Sequence, residues 1–217
     1  RTVAENFGNV SDLARGPALA LGASESTLVE MTGAYAGILN GGSAVKPYGL
    51  VELRLAGDSE PLLTATGGIR ERVIQEGAAR QLTWMMYQVV ENGSGRRAGI
   101  EGWEIAGKTG TTQGARDAWF IGFSGDYVAG VWMGYDNNTP LTGVTGSGLP
   151  ADIWHETMAR VLVGLTPTAL PMQVPPQAQA IAPVPQQGEA GDGLGFTPQE
   201  ADNIINDLLR ELQNNGG

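Results

Sequence analysis

The chain has 217 residues, with 13 Lys and Arg against 23 Asp and Glu, for a net charge of −10 with its single His neutral. That balance excludes the basic face with which nucleic-acid binders displace counterions from phosphates, so no nucleic-acid partner is expected. The absence of Cys and the lone His155 exclude disulfides, thiolate chemistry and His- or Cys-rich metal centres, and no metal or cofactor is expected.

Residues 1–165 alternate helical and strand patterns punctuated by Gly. Leu28, Met31, Tyr35, Ile38 and Leu39 share one face of a helix over residues 25–39, with Asn40-Gly41-Gly42 as its stop. Residues 48–55 alternate, and the turn Ala56-Gly57-Asp58-Ser59 predicts a hairpin returning through Leu62-Leu63. A second amphipathic helix is expected over residues 75–91, burying Ala78, Leu82, Met85, Met86 and Val89 and ending at Gly93. Three strands follow, over residues 103–111, 118–123 and 127–135, the last two joined by the tight Ser124-Gly125-Asp126 connection of antiparallel neighbours. A final helix opens at Pro150 and turns Ile153, Trp154, Met158, Val161 and Leu162 inward. This order predicts an α/β (α+β) domain over 1–165, an antiparallel sheet flanked by helices.

Composition changes near residue 166, because seven of the twelve prolines fall between Pro167 and Pro198. Residues 166–196 are therefore expected to form a disordered Pro/Gln-rich linker, a spacer or a ligand for a partner groove. Thr197-Pro198-Gln199-Glu200 then reads as a capping box with Pro at the first helical position. It opens a short amphipathic helix over 197–217 that presents Ile204, Ile205, Leu208, Leu209 and Leu212.

The chemistry concentrates in Gly107-Lys108-Thr109-Gly110-Thr111-Thr112, on a predicted strand that runs into the hairpin beginning Asp117-Ala118-Trp119-Phe120. A Lys ammonium beside a Thr hydroxyl on a strand edge can grip a substrate carboxylate. Gly110 lets an extended backbone approach and pair with the strand, and the Thr111 N–H would point at a developing oxyanion. Lys-Thr-Gly is one of three motifs of serine acyl-transferases, with Ser-x-x-Lys and Ser-x-Asn.

Several segments together resemble class A penicillin-binding proteins: Leu19-Ala20-Leu21-Gly22-Ala23-Ser24-Glu25, Tyr35-Ala36-Gly37-Ile38-Leu39-Asn40-Gly41-Gly42, the Lys108 motif, Asp117-Ala118-Trp119-Phe120, Val131-Trp132-Met133-Gly134-Tyr135-Asp136 and Gly148-Leu149-Pro150-Ala151-Asp152-Ile153-Trp154. The resemblance covers residues 1–165. It implies the C-terminal part of a penicillin-binding/β-lactamase-like transpeptidase fold, acting on D-Ala-D-Ala stem peptides of peptidoglycan and inhibited by β-lactams. Lys108 and Thr109 would then recognise the terminal carboxylate. Gly110 and Thr112 would complete the substrate strand, and Thr111 would supply the oxyanion N–H and a hydroxyl contact. Apart from the resemblance, Trp119 reads as a sheet-packing aromatic, with lining the cleft as its alternative because it follows the site strand closely. The parent enzyme would work at the periplasmic face of the bacterial inner membrane, with its anchor outside this chain.

In the family the nucleophile Ser, its Lys and the Ser-x-Asn lie upstream, and no Ser-x-Asn occurs in these 217 residues. The one Ser-x-x-Lys, Ser43-Ala44-Val45-Lys46, follows Gly41-Gly42 and runs into Pro47, which disfavours the helix a nucleophile and its base must share. It reads as a coincidence of spacing, and Tyr135-Asp136-Asn137 reads as a turn at a strand end. The missing N-terminal part of the same enzyme would therefore be this chain's partner in the site, and the chain alone is expected to be inactive. Two other readings stand beside this one: a truncated, non-catalytic interaction module, and a serine D,D-carboxypeptidase or β-lactamase relative. His155 reads as a helix-boundary residue, Trp103 and Trp132 as sheet packing, and Asp117, Asp126 and Asp136 as turn carboxylates. Arg96-Arg97 reads as a loop pair, with steering of an anionic substrate as its alternative.

Overall fold

The computed structural model describes residues 1–22, 24–65 and 67–175. Helix α1 (Thr2–Asn6) leads through a 3-10 turn (Pro17–Leu21) into α2 (Leu28–Leu39), where Thr27 and Glu30 form a capping box. Strand β1 (Ser43–Lys46) pairs antiparallel with β4 (Gly68–Arg72), and between them β2 (Glu52–Leu53) pairs with β3 (Leu63–Thr64). The hairpin expected there exists, but only two residues of the 48–55 alternation form strand. Leu50, Val51, Leu55 and Leu62 are exposed, so no core face holds the rest in register. Ser43–Lys46, where Pro47 argued against a helix, is a strand.

Helix α3 (Glu76–Glu91) buries Ala79, Thr83, Met86 and Val90, one residue on from much of the expected stripe, and leaves Met85 49% exposed. Thr83 can occupy that face because its hydroxyl donates to the Ala79 carbonyl one turn back. With its polar group satisfied inside its own helix, Thr83 packs as a small apolar residue.

The central sheet is β5 (Ala106–Thr111), β6 (Asp117–Phe123) and β7 (Val128–Gly134), antiparallel in the order β5-β6-β7. It lies where the three-strand reading placed it. Strand period two sends Phe120 to one face, against Val90, Ile105, Met158 and Trp154 of the closing helix α4 (Leu149–Val161). It sends Phe123 to the other face, against Met86, Tyr35 and Leu39 of the α2–α3 layer. Trp154 fixes α4 to the sheet by an edge-on contact with Phe120 at 5.3 Å and an indole N–H donated to the Ala129 carbonyl. Ile153 and Val161, expected inward, are 39% and 43% exposed on the flanks of that stripe.

Residues 166–175 carry no helix or strand but do not begin a free linker. Leu170 is 6% exposed in the Met86–Phe123 cluster, and its N–H donates to Glu104 Oε2 at 2.7 Å. An extended segment can be ordered by docking side chains, which composition alone does not register. The remainder of the expected linker and the helix over 197–217 lie outside the described residues.

Candidate active site

Strand β5 brings the expected site residues together in one run. It pairs with β6 alone, and no strand adds to its outer edge among the described residues. In register, Lys108 opposes Ile121, Thr109 opposes Phe120, Gly110 opposes Trp119 and Thr111 opposes Ala118. Lys108, Gly110 and Trp119 therefore share one face, and Thr109 and Thr111 the other. Lys108 and Thr111 are exposed, with Thr109 and Gly110 half-buried between them.

The Lys108 ammonium donates to the carbonyl of Thr109 at 2.8 Å, so the charge lies along the strand, whose other face carries the Thr109 hydroxyl. That hydroxyl is 2.7 Å from Ser94 Oγ, in the turn after α3. Thr111 Oγ1 accepts the Gly146 N–H at 3.0 Å and so keeps its own proton for donation. Thr112 stands apart. Its Oγ1 accepts the Asp117 N–H at 2.8 Å and its N–H donates to the Asp117 carbonyl, closing the β5–β6 connection.

Trp119 leans against Trp132 with ring centroids 6.3 Å apart, and Trp132 Nε1 donates to Asp117 Oδ1 at 2.8 Å. The pair forms an aromatic ledge on the Lys108 face. Arg97 pairs with Asp152 of α4 at 2.7 Å, and Arg96 donates to the Asn92 carbonyl, so both guanidinium groups hold the loop to the body. His155, half-buried midway along α4, has Nδ1 2.9 Å from the Gly99 carbonyl. Ser43 and Lys46 lie on β1, where an extended rise separates them by about 10 Å along the strand instead of one helical turn. Tyr135-Asp136-Asn137 is the expected turn, with the Asn138 N–H donating to the Tyr135 carbonyl.

Two residues at the site were not singled out from the sequence. Ser94 sits in Gly93-Ser94-Gly95, which reads as a solvated loop, and Gly146 lies 35 residues beyond the hydroxyl it binds. The only local signal is the run of small residues, which permits close approach without saying to what.

Over residues 4–158 the chain matches the penicillin binding protein transpeptidase domain. It is 36% identical over 163 residues to penicillin-binding protein 1B of Escherichia coli (strain K12), covering 74% of this chain and 18% of that protein. It is 34% identical over 160 residues to penicillin-binding protein 1A of Aquifex aeolicus (strain VF5), covering 73% of this chain and 22% of that protein. The solved structure of the PonA1 protein from Mycobacterium tuberculosis in complex with penicillin V aligns with a TM-score of 0.67 at 26% identity. That alignment covers 79% of this chain and 53% of the other. The chain spans about a fifth of the length of these curated relatives.

Proposed function

Because the chain belongs to the transpeptidase domain family of class A penicillin-binding proteins, we propose that it carries the Lys-Thr-Gly half of a peptidoglycan D,D-transpeptidase site. In this reading the Ser nucleophile, its Lys base and the Ser-x-Asn are supplied by a longer protein, from outside these 217 residues. That protein works at the periplasmic face of the bacterial inner membrane.

The stem peptide adds as a strand along the outer edge of β5, its terminal carboxylate held by the Lys108 ammonium and the Thr109 hydroxyl. An upstream Ser hydroxyl attacks the carbonyl of the penultimate D-Ala. The Thr111 N–H stabilises the tetrahedral oxyanion. The peptide C–N bond then breaks, the released D-Ala amine takes the proton, and a Ser ester remains. An acceptor amine displaces that ester, forming the new amide and returning the proton to Ser. β-Lactams enter by the same route and stop at the ester.

The observation that carries this reading is the outer edge of β5, to which no strand adds among the described residues and on which an exposed Lys, a Thr hydroxyl, a Gly and an exposed Thr follow one another. Fluorescent penicillin tests it, applied to the purified chain beside the longer protein and read on a denaturing gel. Labelling of the longer protein alone is the expected result. Labelling of this chain would put an attacking Ser inside it and make Ser43 the first residue to mutate.

A further inference from the structure

We propose that Ser94 is a positioning residue for the carboxylate-binding hydroxyl of Thr109, an inference that rests on the site reading above. The two hydroxyl oxygens are 2.7 Å apart. At that separation one donates to the other, and a Thr has a single proton to give. With Ser94 as the donor, the Thr109 proton is left to point at an incoming carboxylate, and the bond it accepts polarises its own O–H. The Lys108 ammonium, bonded to the Thr109 carbonyl at 2.8 Å, supplies the charge from the neighbouring residue of the strand.

The turn that presents Ser94 is fixed at Gly95, the next residue. The Gly95 N–H donates to the Val89 carbonyl at 2.8 Å, and the Ala98 N–H returns to the Gly95 carbonyl at 2.9 Å. A Cβ at Gly95 would stand 3.2 Å from Val89 and 3.3 Å from the Phe120 ring. Phe120 is the residue paired with Thr109 in the sheet. The turn and the strand it serves therefore rest on the same ring, and the Ser94 hydroxyl is set before any ligand arrives. A Thr109 hydroxyl without that partner must instead be ordered during binding, which costs affinity for the carboxylate.

The test uses the longer protein with its nucleophile, and compares benzylpenicillin with its methyl ester, which lacks the free carboxylate. Ser94→Ala is expected to lower the second-order acylation constant for the acid up to about tenfold, the upper end of what one neutral hydrogen bond contributes, and to leave the ester unchanged. Ser94→Thr, which keeps the hydroxyl, is expected to restore the acid rate. In a Thr109→Val background Ser94→Ala is expected to change nothing further. Equal losses for acid and ester, or a loss that persists beside Thr109→Val, would mean that Ser94 only shapes its turn, and would overturn the inference while leaving the site reading intact. Unchanged acylation of the acid in Thr109→Val alone would instead overturn the site reading.

Discussion

Gly146 shows at the scale of one residue how much of the site is set by what is missing from a side chain. Its N–H reaches Thr111 Oγ1 because the loop over residues 141–148 lies directly on the sheet. A Cβ at Gly146 would stand 2.4 Å from the Gly110 carbonyl oxygen and 2.5 Å from that of Trp119. Both obstacles are strand backbone, which cannot swing aside as a side chain tip does. Gly146→Ala must lift the loop or bend β5 between Lys108 and Thr111. We expect penicillin acylation of the longer protein to fall at least tenfold, with about 1–3 kcal/mol lost in stability, the usual cost of forced overpacking. Gly77, in the first turn of α3, is the contrast. A Cβ there meets only Gln173 Oε1 at 3.8 Å, so Gly77→Ala is expected to be neutral or slightly stabilising in a thermal melt. Wild-type acylation by Gly146→Ala would mean that the loop contributes nothing to the strand's geometry.

At the scale of the element, α2 is held by one carboxylate. Glu30 accepts the N–H groups of Thr27, Val10 and Ser11 and the hydroxyl of Ser11, tying the preceding loop to the start of the helix. The Thr27 N–H first, and the Ser11 hydroxyl next, lower its pKa from an ordinary 4.5 to about 2. A depressed carboxyl stabilises the fold above its unfolded pKa, and that contribution drains away as pH falls through the folded one. Glu30→Gln should therefore lower the melting temperature at pH 7, and the gap to the wild type should narrow from about pH 4.5 down to about 2. A gap independent of pH would show that shape, and not charge, sustains the cap. The helix itself was legible from Leu28, Met31 and Tyr35, and Thr27 with Glu30 is a readable capping box. The reach of Glu30 back to Val10 and Ser11 was not, since a loop's return to a helix start leaves no period in the sequence. The same limit explains α3, where apolarity alone picked Met85 over Thr83 because a hydroxyl bonded to Ala79 cannot be told from an unsatisfied one. Strand β5 was legible for the opposite reason. Its chemistry is contiguous, whereas Ser94 and Gly146 arrive from separations of 15 and 35 residues.

At the scale of the molecule, the site strand is supported from both ends by chain that arrives late. Leu170 inserts into a cluster with Met86, Phe123 and Ala106, and Ala106 is the first residue of β5. The segment is pinned on either side, by Leu170 N–H to Glu104 and by Gln173 N–H to the Arg80 carbonyl. Residues 166–175 thus close the layer between α3 and the sheet, two residues upstream of Lys108, where composition pointed to a linker. Such docking rests on two or three apolar side chains in a Pro-rich context, and the Pro content conceals them. Leu170→Ala opens a cavity in that cluster and is expected to cost about 2–5 kcal/mol in urea unfolding of the 217-residue chain. Val174→Ala, at a side chain 40% exposed, is expected to stay within about 0.5 kcal/mol. If both variants unfold at the wild-type midpoint, the segment does not hold β5, and the linker would begin where the proline content first rises. If Leu170→Ala alone shifts the midpoint, the folded unit runs through the first part of that Pro-rich stretch, and the position of Lys108 depends on it.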